Sequence, residues 1–392
     1  MPYYQKRGNV RRPTNARPNT KKTRGEYINP SRFIQAAKPV EQAAYQPQHA
    51  FSDFALHPLL LQNLTAHGLT TPTPIQDQSI PHGLAGKDVV GLANTGTGKT
   101  IAFALPMLHR LMSDPNARAL IKAPTRELAQ QIQDECKMLA RGSGLFGALL
   151  IGGAPMNPQL RDLSVKPTIV IGTPGRIKDH LERGTLDLRN FNTVVLDEVD
   201  RMLDMGFVAD MRRILSQVNP EHQSFFYSAT MDQRVRELIG NFSNDPITVS
   251  VTSGHTSDSV EQNIVRFSDR SDKMEKLHDL LIDEGIDKVL VFDETQRSVE
   301  RLSHDLNTRG FTTDAIHGGK SQAQRQRALK RFKNNEVKIL VATDVAARGI
   351  DIADITHVIN YSTPQSYSDY VHRVGRAGRA GRQGHALTFV AH

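Results

Sequence analysis

The stretch Val89–Phe103, "VVGLANTGTGKTIAF", decides the fold. It opens on β-branched residues of strand character, turns through Gly96 and Gly98, and continues from Thr100 with apolar residues at helical spacing. Glycines at a strand-to-helix turn let backbone N–H groups converge on an anion, and the helix start adds the positive end of its dipole. In such a turn the backbone of Thr95, Gly96, Thr97 and Gly98 cradles phosphates, Lys99 reaches the β- and γ-phosphates, and Thr100 ligates Mg²⁺. Ala93 stands at the usual first glycine, yet the strand before and the helix after favour nucleotide binding over a chance Gly-Lys-Thr turn.

Outward from this turn, short apolar runs alternate with amphipathic helical patterns: "DVVGL" 88–92, "ALIKA" 119–123, "TIVIG" 168–172, "TVVLD" 193–197 and "SFFYS" 224–228. That alternation predicts a parallel sheet covered by helices on both faces. The polar run from Ser250 to Gln262 interrupts it, and the pattern restarts with "KVLVF" 288–292, "VKILVA" 337–342, "THVINY" 356–361 and "HALTFV" 385–390. The expected organisation is a basic tail over 1–48, an α/β domain over 49–250, a linker over 251–261 and a second α/β domain over 262–392.

A second stretch, "VVLDEVDRMLD" from Val194 to Asp204, sets three acids at the mouth of a buried strand. Alone it reads as an acid-capped helix start. In an open parallel sheet, however, ligands bind at the carboxyl ends of strands. Downstream of a phosphate loop, Asp197 can hold the nucleotide's Mg²⁺ and Glu198 can position and deprotonate an attacking water.

The bulk numbers bound the rest. The 392 residues are 38% hydrophobic and 23% charged, ordinary for a globular chain of about two domains. The single cysteine, Cys136, excludes an intramolecular disulfide, and it shares a helical face with Leu128, Ile132 and Leu139, as a core residue would. No apolar run reaches 18 residues and no secretory signal opens the chain, so a cytoplasmic protein without membrane attachment is expected. Residues 1–50 carry ten Lys and Arg against two Asp and Glu, which is the whole net charge of +8; the remainder balances at 39 of each sign. Rich in Pro, Asn and Arg, the tail over 1–48 is expected to be disordered. Two roles stand open for it, a grip on nucleic-acid phosphates or a solubilising extension. Pro13 and Pro18 speak against a mitochondrial presequence.

From Phe51 to His392 the chain resembles the DEAD-box RNA helicases of superfamily 2, with the motifs in that family's order and "DEVD" 197–200 at the signature. The resemblance implies two tandem RecA-like domains. It implies that Phe51 stacks on adenine, that Gln76 reads its edge, and that Asp351 touches the ribose. Backbone contacts to RNA are implied for Pro124, Thr125 and Arg126 of "PTREL", Gly153 of "GG", Thr173, Pro174, Gly175 and Arg176 of "TPGR", Arg327 of "QRQR" and Thr343 of "ATDVAARGIDI". Ser228 and Thr230 of "SAT" would bond Asp200, with His372 also in a coupling role, while Arg376 and Arg379 of "HRVGRAGR" would act on the γ-phosphate. Catalysis would then rest on Lys99, Asp197, Glu198, Arg376 and Arg379, with ATP and Mg²⁺ as cofactors. A monomer acting locally on RNA, with ribonucleoprotein partners, is the expectation. Two alternatives stand beside it: an ATP-gated RNA clamp with little unwinding, and a DNA-translocating enzyme on the same core. One departure from the family pattern is Val199, where the signature commonly has Ala.

Overall fold

The structure, a computed structural model, describes residues 28–37, 45–94, 96–251, 260–283, 286–347, 352, 354–378 and 383–392. Two sheets carry the fold. The first contains β1 (Val89–Ala93), β2 (Ala119–Lys122), β3 (Gly147–Leu150), β4 (Ile169–Gly172), β5 (Thr193–Leu196), β6 (Gln223–Ser228) and β7 (Ile247–Val251), in the order β3-β4-β2-β5-β6-β1-β7. The second contains β8 (Val260–Phe267), β9 (Val289–Phe292), β10 (Thr313–Ile316), β11 (Ile339–Ala342), β12 (His357–Asn360) and β13 (Gly384–Ala391), in the order β10-β11-β9-β12-β13-β8. Neighbouring strands pair parallel throughout both sheets.

The central strands β2, β4, β5 and β9 are buried at every position, as strands covered on both faces must be. Successive side chains of a strand leave on opposite faces, so Val89 joins one core with Phe103, Ile121, Ile132 and Cys136, while Val90 joins the other with Leu120, Leu196 and Phe226. Four strands lie outside the apolar runs read from the sequence. β3 is "GALL" and β10 is "TDAI"; β7 and β8 stand at sheet edges and are buried only at alternate positions over parts of their length. β7 reaches Val251 and β8 begins at Val260, both inside the stretch expected as a linker; 252–259 lie outside the described residues.

Part of the stretch expected as a disordered tail has defined structure. Residues Pro30–Phe33 form a 3₁₀ turn capped by Asn29, and Phe33 is 1% exposed in the core beneath the second sheet. Residues 45–48 lie against the helix Pro74–Leu84 of the first domain. The physical reason is that Ile28 and Phe33 supply apolar surface which a count of charge and proline overlooks. Residues 1–27 and 38–44 lie outside the described residues.

Because the strands are parallel, their carboxyl ends line one edge of each sheet. In the first sheet β5, β6 and β1 are adjacent, which sets Asp197, the "SAT" turn and the phosphate loop side by side. On the other side of β5, β2, β4 and β3 do the same for "PTREL", "TPGR" and "GG".

Candidate active site between the two domains

The phosphate loop is built from both ends. Gly98 caps the helix Lys99–Ser113 at φ 91°, a left-handed conformation, and a Cβ there would lie 2.4 Å from the Gln76 amide nitrogen. That amide donates to the Gly98 carbonyl at 3.0 Å, while Gln76 Oε1 accepts from Thr73 N at 2.9 Å. Thr73 Oγ1 donates to the Thr97 carbonyl, and Thr97 Oγ1 to the Asn94 carbonyl, each at 2.8 Å. Gln76 therefore stitches its own helix start to the loop. Phe51, in contrast, is 5% exposed and packs edge-on to Phe54, so the structure gives it a core partner rather than an open ring face.

Lys99 is buried and donates to the Ala93 carbonyl at 2.9 Å. Thr100 follows it in the first helical turn. Asp197, just past β5, is 3% exposed and accepts from Glu198 N at 2.9 Å. Burial pushes its carboxyl up to about 6; Glu198 and Asp200 add to the rise and Lys99 opposes it.

Glu198 takes the left-handed conformation at φ 52° and ψ 57°, which costs a non-glycine residue roughly 1–2 kcal/mol. Arg201, one helical turn on, meets it at 2.6 Å, and both side chains are 8% exposed. Burial raises the Glu198 carboxyl, but the charges of Arg201, Lys99 and Arg376 outweigh it and hold the group down at about 2. Glu198 is thus a fixed anion at neutral pH. Asp200 Oδ2 accepts from Ala229 N, Thr230 N and Thr230 Oγ1 at 3.0–3.1 Å, and Asp200 N donates to Ser228 Oγ at 3.3 Å. Val199 is fully buried in the core with Leu196 and Met202, where its two extra methyl groups are packed.

The second domain closes the site. His372 lies on the helix Tyr367–Val374 and lines one cavity with Asp200, Arg201 and Thr230 of the first domain. Burial lowers its pKa, and it feels Asp200 and Glu198 from across the cleft. Arg376 is 4% exposed and is one of the cations acting on Glu198. Arg373 binds Asp344 through two contacts of 2.6 and 2.7 Å, tying this helix to the short helix Asp344–Ala347 that follows Thr343 after β11. Thr95, Asp351 and Arg379 lie outside the described residues.

A second row of residues runs alongside. Thr125 Oγ1 caps the helix Arg126–Leu139, Thr173 and Pro174 open the helix Pro174–Glu182, and Gly175 and Arg176 follow in its first turn. Gly153, at φ 74°, lets the Arg126 guanidinium lie against it, since a Cβ there would be 2.2 Å from Nη1. Helix N-termini and arginines are groups that attract anions. Opposite this row, Glu127 meets Arg325 of the second domain at 2.8 Å, and the Gln322 amide approaches Glu127 at 3.4 Å. Arg327, two residues on, is exposed. The motif points to Arg327 and passes over Gln322 and Arg325; only the inward face of the helix Gln322–Lys333 tells them apart. Arg201 also escapes the motifs, although its spacing of three from Glu198 on a helix is a legible signal.

Residues 73–238 match the DEAD/DEAH box helicase family model, and residues 272–381 match the helicase conserved C-terminal domain. The chain is 44% identical over 342 residues to the ATP-dependent RNA helicase CshA of Listeria monocytogenes, covering 87% of this chain and 66% of that protein. It is 43% identical to the DEAD-box ATP-dependent RNA helicase CshA of Bacillus subtilis, covering 87% and 69%. The chain belongs to the DEAD-box ATP-dependent RNA helicases. It spans about two thirds of the length of these relatives. Among solved DEAD-box structures, S. cerevisiae Dbp5 bound to RNA and ADP BeF3 superposes with a TM-score of 0.77 at 28% identity, covering 88% of this chain and 90% of that one. Mss116p bound to ssRNA and AMP-PNP gives 0.79 at 28%, covering 88% and 76%. A DEAD box protein from Methanococcus jannaschii is 37% identical yet gives only 0.51, covering 87% and 93%.

Proposed function

We propose that this DEAD-box protein closes on ATP and RNA together, hydrolyses ATP in the cleft, and separates short duplexes locally. The single observation that carries the reading is the convergence on Glu198 of Lys99 from its own domain and Arg376 from the other. Neither domain alone supplies both charges. The closer likeness to RNA- and analogue-bound relatives than to the more identical archaeal protein supports a closed domain arrangement.

In this reading Lys99 and the loop from Thr95 to Thr100 hold the phosphates, and Gln76 recognises adenine while bracing the loop. Glu198, kept ionised by Arg201, Lys99 and Arg376, orients the attacking water, and catalysis draws on positioning and charge. Water attacks the γ-phosphorus, the bond to the ADP oxygen breaks, the water's proton leaves on the inorganic phosphate that forms, and Arg376 and Arg379 stabilise the charge on the transferring group. Among the described residues no group of three or more His, Cys, Asp or Glu forms a metal cage. The donor set suits Mg²⁺ instead, because that ion is typically held by one or two protein oxygens plus substrate phosphates. Asp197 and Thr100 would hold it, and its charge would offset the burial, and the smaller repulsion from Glu198 and Asp200, that raise Asp197. When bound, Mg²⁺ supplies positive charge to the β- and γ-phosphate oxygens.

RNA lies along the strip of Thr125, Arg126, Gly153, Thr173 and Arg176, continued by Thr343. Contacts to phosphates and sugars there imply little sequence preference. No helix among the described residues is long and apolar enough to cross a membrane. A monomeric, cytoplasmic protein that works on RNA and ribonucleoproteins, with one domain on each side of the stretch between β7 and β8, completes the proposal.

The test is RNA-stimulated phosphate release together with separation of a short labelled duplex. Failure of RNA to stimulate the wild-type protein would sink the proposal. Stimulated hydrolysis without duplex separation would favour the clamp.

A further inference from the structure

The segment Ile28–Gln35 precedes the first domain in sequence but is built into the second. Phe33, 1% exposed, packs against Tyr370 with ring centroids 4.7 Å apart, and the Arg32 guanidinium lies 3.7 Å from the centre of the Tyr367 ring. Asn29 accepts from Ser31 N at 3.1 Å and so starts the turn that carries both side chains. Gln35 exchanges backbone hydrogen bonds of 3.0 and 2.8 Å with Gln262, adding an antiparallel bridge at the β8 edge of the second sheet. The Tyr370 hydroxyl donates to the Gln262 side chain at 2.8 Å, which closes a ring of contacts from segment to strand to helix and back. Every partner in that ring belongs to the second domain.

The two tyrosines lie on the rear of a helix whose front enters the cleft. Tyr367, Tyr370 and Val374 recur at intervals of three and four along the helix Tyr367–Val374 and pack with Phe33 in one core. His372, two residues on from Tyr370, leaves the helix about 200° round, on the opposite face. That face borders the cavity shared with Asp200 and Thr230 of the first domain. Arg373 fixes the helix from the side, through Asp344 and through the Ser362 carbonyl at 2.7 Å. After Val374 the chain turns at Gly375 into Arg376, which is 4% exposed and whose charge reaches Glu198. The bulk packed behind the helix therefore sets how far Arg376 stands into the site.

We infer that residues 28–35 are a brace behind this helix, with Phe33 and Arg32 as positioning residues that place Arg376 for hydrolysis. Protein interiors are close-packed, so losing a ring behind the helix lets it settle back. A misplacement of about 1 Å far from the reacting atoms can cost roughly a hundredfold in rate. A segment that only covered the second core would stabilise that domain without regard to Arg376. The inference rests on the role proposed for Arg376 in the cleft.

The deciding experiment is a double-mutant cycle in the full chain between the brace and Arg376, read as kcat of RNA-stimulated ATPase at saturating ATP and RNA. Phe33→Ala should lower kcat by about ten- to a hundredfold. Arg32→Gln should lower it by less, and Phe33→Leu, which refills most of the space, should recover most of the loss. Binding of a fluorescent ATP analogue without RNA, which rests on the first domain, should match the wild type in all three. In an Arg376→Ala background the same substitutions should lower kcat by less than about twofold, because the group they place is already gone. Losses that carry over in full into that background, or wild-type kcat in Phe33→Ala, overturn the brace and leave residues 28–35 as a cover for the second core. If Phe33→Ala unfolds the second domain, Arg32→Gln, which opens no buried space, carries the cycle and the same outcomes decide. Wild-type kcat in Arg376→Ala alone would strike the role proposed for Arg376 and the brace with it, whereas fully additive losses strike the brace alone.

Discussion

Glu127 and Arg325 meet at 2.8 Å across the two domains with side chains only 3% and 8% exposed. A buried ion pair contributes little net stability, but removing one partner strands the other and typically costs 3–5 kcal/mol. The penalty here falls on the closed state, since parting the domains rehydrates both groups. Glu127→Gln should therefore lower RNA-stimulated kcat/KM by about thirtyfold or more, equivalent to about 2 kcal/mol, with ATP binding unaltered. Adding Arg325→Met should recover part of the loss, and strictly additive losses would refute the coupling.

Glu198→Gln keeps the shape of the side chain but removes the anion between Arg201, Lys99 and Arg376. ATP and RNA binding should persist while turnover falls by at least about a hundredfold. Wild-type phosphate release from this variant contradicts the role given to Glu198.

Gln76 has two tasks, and they separate experimentally. Wild-type protein should use ATP well and GTP poorly. Gln76→Ala should raise KM for ATP and, because the brace from Thr73 to Gly98 disappears with it, for GTP as well. Equal use of GTP and ATP by the wild type would remove base recognition from this residue.

Lys122 is fully buried on β2 with no hydrogen-bond partner among the described residues, and burial lowers its pKa from 10.5 to about 7. A depressed lysine pKa makes no difference to stability above about pH 10.5, where folded and unfolded chains are both neutral. As pH falls toward 7 the unfolded chain gains a proton that the fold resists, at about 1.4 kcal/mol per pH unit. Lys122→Met should thus stabilise the first domain at pH 7 by on the order of a few kcal/mol, and the gain should shrink toward pH 10. A melting-temperature difference that is flat across this range would show that the amine finds solvent.

Residues 1–27 hold eight Lys and Arg and one acid. Deleting them while retaining residues 28–50 should weaken RNA binding most at low salt and without nucleotide. For every RNA phosphate that the tail neutralises, the deletion should change the slope of log K against log salt by about 0.7. Equal slopes for the two proteins would leave the tail as a solubilising extension, and kcat at saturating RNA should be the same in both.

Much of this molecule was legible in its sequence. The alternation of apolar runs with helical patterns pointed to two parallel sheets, because a strand buried on both faces must be apolar at nearly every position. The phosphate loop and the acids at 197–200 were readable because their chemistry is local, requiring particular residues within a few positions of a turn. Short or edge strands such as β3 and β8 were not readable, since Gly147–Leu150 owes its state to β4 beside it and β8 owes its state to β13.

The linear chain thus dictates the kind of fold, the nucleotide turn and the set of charged groups near it. Which of those charges meet is settled only when the elements pack. Packing set Arg325 against Glu127, locked Glu198 to Arg201, buried Phe51 against Phe54, and carried Phe33 from ahead of the first domain onto the second. Such contacts depend on which face of an element turns inward and on how two sheets approach. Those choices are fixed by side chains that can stand more than a hundred residues apart in sequence, beyond the reach of any local pattern.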